Sequence, residues 1–82
     1  MRKQSTRPDV EQVYYILNKI MTIPNKGYIT YAKSYAHAAI YMQMRGRDLE
    51  IQVLYVLNNL AQWTGEEARE SKKMLKAFAG VK

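Results

Sequence analysis

Apolar residues return every three or four positions in four stretches of the chain, and no stretch alternates with the period of two that a half-buried strand would show. The pattern predicts an all-α fold, a compact bundle of four short helices at about 7–23, 29–45, 48–63 and 65–79, with links short enough to set neighbours antiparallel. In the first helix, advancing each residue by 100° gathers Val10, Val13, Tyr14, Leu17, Ile20 and Met21 on one side and leaves Glu11, Asn18 and Lys19 on the other. Thr6 and Asp9 read as a capping box at its start, and Pro24-Asn25-Lys26-Gly27 stops it. The second helix places Tyr28, Tyr31 and Tyr35 beside Ala32, Ala36 and Ala39 on its expected inner face, where alanine permits close approach. Gly46 is expected to cap its C-terminus and Asp48 the N-terminus of the third helix.

The third helix has a broad apolar side, Leu49, Val53, Leu54, Val56, Leu57, Leu60 and Ala61, which suits a central position. Thr64 and Glu67 form an S/T-x-x-E capping box for the fourth, whose buried side is Ala68, Met74, Leu75 and Phe78. Its charges complement the helix dipole, with Glu66 and Glu67 at the start and Lys72, Lys73 and Lys76 towards the end.

Size and composition narrow the function. At 82 residues the chain supports a single helical domain, 7–82, preceded by a disordered basic arm at 1–6. A core of this size leaves no room for a deep substrate cavity, so neither an enzyme nor a small-molecule binder is expected. The chain has no cysteine, which removes disulfides and thiolate metal sites. No run of about 18 apolar residues occurs and the N-terminus is polar and basic, so no membrane insertion and a cytoplasmic location are expected. His37, the one histidine, falls with Thr30, Lys33, Ser34 and Tyr41 on a polar helix face, where it reads as solvated. The acidic pairs Asp9/Glu11, Asp48/Glu50 and Glu66/Glu67 lie in first helical turns, where the dipole accounts for them. No catalytic residue, metal or cofactor is implied.

Two features remain. Thirteen cations against seven acids give a net charge of +6, and Arg69, Lys72, Lys73 and Lys76 form one stripe opposite Leu75 and Phe78. An up-and-down bundle would add Arg2, Lys3, Arg7, Arg45 and Arg47 to Lys72, Lys73 and Lys76 at one pole. Such a surface fits a nucleic-acid backbone, bound through phosphate with little sequence specificity, or simply a solvated face. The other feature is the outer side of the third helix, Ile51, Gln52, Tyr55, Asn58, Asn59 and Gln62. No charge occurs between Ile51 and Gly65, which fits a protein partner or a second copy, or enclosure within the bundle. A helix-turn-helix at 53–78 fits poorly, because Glu66 and Ser71 fall where that template wants apolar residues.

Overall fold

The computed structural model describes residues 8–25 and 27–81. It is an all-α bundle of four helices: α1 (Val10–Met21), α2 (Thr30–Tyr41, entered through a single 3-10 turn at Gly27–Ile29), α3 (Gly46–Asn58) and α4 (Glu66–Ala79). Each helix packs on its neighbour in the chain, and α4 returns to touch α1 more lightly. No strand occurs among the described residues, and none of their helices is long and apolar enough to cross a membrane.

The core is layered around α2. From α1 come Val13, Ile16, Leu17 and Ile20, from α3 Leu49, Val53 and Val56, and from α4 Ala68, Leu75 and Phe78, all buried. α2 itself contributes Ala32, Ala36 and Ala39, each with no exposed surface, so α1 and α3 close tightly upon it. The tyrosines expected beside these alanines are elsewhere: Tyr31 is 67% exposed and Tyr28 38%, while Tyr35 is half-buried. Tyr31 and Tyr35 precede Ala32 and Ala36 by one position, and Tyr28 precedes Ile29, about 100° around the helix. A phenol in the tight alanine seam would leave its hydroxyl without a partner. Ile29 takes the buried place at the start of α2.

The helix ends depart from the sequence reading at several points. α1 begins at Val10 with Asp9 as its cap. The Gln12 N–H donates to Asp9 Oδ1 at 2.9 Å, and the Asp9 N–H donates to Gln12 Oε1 at 3.0 Å. The box is thus D-x-x-Q at 9–12, and Thr6 lies outside the described residues. α3 begins at Gly46, ahead of Asp48, and ends at Asn58, short of Trp63. There the Asn59 side-chain amide donates to the Tyr55 carbonyl at 2.9 Å, competing with helix propagation. The Thr64–Glu67 box does not form, because the cap residue is Gly65, at φ +108°, and Glu67 instead reaches Lys19 of α1 at 3.0 Å.

α2 and α4 close on the same backbone device with different residues. At the end of α4 Gly80 takes φ +80° and the Val81 N–H donates to the Lys76 carbonyl at 2.9 Å. At the end of α2 that left-handed position falls on Gln43, at φ +53°, with the Met44 N–H donating to the Ala39 carbonyl at 3.1 Å. Gly46 therefore does not cap α2. The turn is held by Tyr14 of α1, whose hydroxyl lies 2.6 Å from the Met44 carbonyl and 3.1 Å from that of Ala39. A side chain at Gln43 costs about 1 kcal/mol in this conformation. Gln43→Gly is expected to stabilise the fold by about 0.5–1 kcal/mol, a rise of a few degrees in Tm by circular dichroism. A lower Tm would contradict the strained-cap reading.

Candidate functional site

Residues at i, i+3, i+4 and i+7 share one face of a helix, and Arg69, Lys72, Lys73 and Lys76 have that spacing on α4. The structure brings all four to the rim of one open surface groove of about 910 Å³. Its wall is completed by Trp63, Thr64 and Gly65 from the α3–α4 link and by Ala77 and Val81. Glu66 is the only acid among the lining residues. Arg69, Lys73 and Lys76 are exposed, and no carboxylate of the described residues lies within ion-pair distance of them.

Lys72 is different in kind. Its ammonium donates to the carbonyls of Trp63 at 2.8 Å and Leu60 at 3.1 Å, so it ties α4 to the end of the link. The Leu60 carbonyl also takes the Trp63 N–H at 3.0 Å, so Lys72 adds a charged donor to a turn that has already left the helix. Lys33 of α2 plays the same part for the first link, donating to the Ile23 carbonyl at 2.6 Å and to Asn25 Oδ1 at 2.8 Å. Sequence spacing read Lys72 as a phosphate contact and placed Lys33 on the polar face of the second helix. Both act first as bridges to loop carbonyls, although Lys72 still lines the groove. Trp63, buried but for 8% of its surface, was missed as part of the groove because it was assigned to a longer third helix.

The remaining expected contacts lie apart from this groove. Arg45 lines a separate shallow depression with Met42, Gln43, Met44, Asp48, Ile51 and Gln52. Arg47 pairs with Glu50 at 3.1 Å. Arg2, Lys3 and Arg7 fall outside the described residues, as does the arm at 1–6. The α3–α4 link covers 59–65, longer than the three- or four-residue turn of a helix-turn-helix, and Glu66 stands where a recognition helix would meet phosphate.

The uncharged side of α3 is a surface in its own right. Ile51 and Tyr55 are 39% and 47% exposed, and Asn58 and Gln62 are exposed. Tyr55 stacks on Tyr35 of α2 with ring centroids 5.3 Å apart, and the Gln52 side-chain amide donates to the Tyr35 carbonyl at 2.9 Å. Asn59 is half-buried through its bond to Tyr55. His37 is exposed and stacked on Tyr41. No three histidine, cysteine, aspartate or glutamate side chains come together among the described residues.

Comparison with known proteins leaves this geometry to stand alone: no family model, no curated protein and no solved structure matches the chain.

The two kinds of groove lysine separate by stability. Lys72→Met is expected to lower unfolding free energy in urea by about 1–3 kcal/mol, because two loop carbonyls lose a charged donor. Lys73→Met, which removes a solvated cation, is expected to stay within about 0.5 kcal/mol of wild type. Equal effects would contradict the bridging role.

Proposed function

We propose that this chain is a non-enzymatic nucleic-acid-binding domain that grips the phosphate backbone in the groove along α4. The observation that carries the reading is the convergence of Arg69, Lys72, Lys73 and Lys76 on one concave surface with a single acid, Glu66, among its lining residues. The first and last of these cations are seven residues apart, roughly 10 Å along the helix, which is long enough to meet successive phosphates of one strand. Concavity matters, because low-dielectric walls concentrate the potential of the cations they enclose. Lys72 adds preorganisation. Its stem is already fixed by the Leu60 and Trp63 carbonyls, so less side-chain entropy is lost when an anion arrives.

The approach is lateral. Glu66 and Glu67 occupy the first turn of α4 and repel phosphate, so the helix lies along the backbone with its i, i+3, i+4, i+7 face rather than entering a groove by its N-terminus. Such contacts carry no base identity, and specificity is correspondingly low. A flat, solvated basic face would hold the same charge without the Trp63, Ala77 and Val81 wall, and that wall favours a binding surface.

Titration of fluorescent duplex and single-stranded probes tests the reading. With three to four phosphates neutralised, affinity for duplex is expected to fall roughly 40- to 150-fold between about 50 and 200 mM salt, and less steeply for single strands. Lys73→Gln with Lys76→Gln is expected to reduce the logarithmic salt slope by about two, and Glu66→Gln to tighten binding. Absence of binding at low salt, or wild-type affinity in the double variant, would sink the proposal.

A further inference from the structure

Four of the chain's seven acids, Asp9, Glu11, Glu67 and Glu70, line a second open groove, of about 470 Å³, where α4 returns to α1. Lys19 is the only cation among its lining residues. The four acids are exposed and make the rim, while Ile16 and Ser71 are buried and Met74 half-buried beneath them. Glu67 is taken by Lys19, but among the described residues no cation lies within ion-pair distance of Asp9, Glu11 or Glu70. Glu70 also stands beyond the first turn of α4, where the helix dipole no longer accounts for a carboxylate. On a chain of net charge +6, a surplus of negative charge at one place needs a reason.

Two independent observations point to what sits there. Ser71 is 4% exposed, yet its hydroxyl makes no hydrogen bond among the described residues. Asn18, Thr22 and Asn59 each donate to a carbonyl of the preceding turn, and Ser71 does not. A buried hydroxyl left without a partner costs free energy, and this one opens on the groove, where its oxygen can accept from a ligand N–H. The second observation is the protein's own ammonium. Lys19 Nζ lies 3.0 Å from Glu67 Oε2 and 4.8 Å from the centre of the Tyr15 ring, so one end of the groove already holds an alkylammonium between a carboxylate and an aromatic face.

We infer that this groove binds a linear polyamine, an alkyl chain carrying several ammonium groups, laid in line with the Lys19 ammonium. Spacing selects an extended cation. No three acidic side chains of the described residues come together as a single metal ion would require, so the positive charge has to be spread. From Glu67 to Met74 the groove follows seven residues of α4, roughly 10 Å, with Glu70 about one turn from Glu67 and the start of α1 supplying Asp9 and Glu11. Ammonium groups set a few methylenes apart meet these carboxylates in turn, the methylenes lie over Ile16 and Met74, and one N–H reaches Ser71 Oγ. A single amine gains only one such contact, whereas linked amines engage the rest at high effective concentration. The basic groove of α4 shares no lining residue with this one, and at physiological salt its field is screened over about 8 Å. The inference does not rest on nucleic-acid binding.

Spermidine titrated into the wild-type chain, free of nucleic acid and at constant ionic strength, tests it by amide NMR. Saturable shifts confined to residues 9–19 and 67–74 are expected, with magnesium chloride and butylamine binding about tenfold or more weakly. Glu11→Gln with Glu70→Gln is expected to weaken spermidine by about tenfold or more, and Asp48→Asn, an acid outside the groove, to leave it unchanged. Ser71→Ala moves two readouts in opposite directions. It is expected to weaken spermidine by about three- to tenfold and to raise Tm, because the variant no longer buries an unpartnered hydroxyl. An absence of saturable shifts, equal binding of magnesium or butylamine, or wild-type affinity in Ser71→Ala would each overturn the inference.

Discussion

Small side chains on a central helix set the distance at which its neighbours pack, and Ala32, Ala36 and Ala39 impose that constraint here. With nothing beyond Cβ on its inner side, α2 lets Leu17 and Ile20 of α1 and Leu49 and Val53 of α3 close over it, and the seam is too narrow for an aromatic ring. The bulk that α2 carries must then point elsewhere. Tyr28, Tyr31 and Tyr35 are displaced onto the surface beside α3, where Tyr35 finds Tyr55. The tight core and the aromatic strip are therefore two results of one choice of residues.

α4 sits outside that constraint. It packs on α3 and only lightly on α1, so its apolar side is narrow and much of its circumference is open to charge. Polar ties make up part of what the narrow side lacks. Lys72 holds the link before it, and Glu67 reaches Lys19. The hydrogen bond that Lys19 donates to the Glu67 carboxylate raises the pKa of Lys19 above its ordinary 10.5, assisted by the charge of Glu67 and by Tyr15 and opposed by desolvation. A raised ammonium pKa contributes stability fully present below the unfolded value and lost as pH rises through the folded one, so the contribution of Lys19 to this tie is present at neutral pH and lost in strong alkali.

What was legible in the sequence follows the range of the interactions involved. Four helices could be read because a period of 3.6 is a local property, and the stripe from Arg69 to Lys76 could be read because one helix carries all of it. Helix ends were less legible, since caps compete with tertiary partners. Glu67 is taken by Lys19, and the left-handed turn after α2 falls on Gln43 while Gly46 stands three residues beyond. Whether tyrosine or alanine faced inward on α2 was not a local question either, because both recur at helical spacing. Only the approach of α1 and α3 decides it. Trp63 escaped for a related reason, since it looked like the end of a helix that stops at Asn58.

The groove of α4 and the uncharged side of α3 share no lining residue, and Trp63 and Gln62 set them side by side. Under the proposed function a single groove reaches few phosphates, the ordinary weakness of a small basic domain, so what distinguishes the face of α4 is that Lys72 is already held in place by the Leu60 and Trp63 carbonyls.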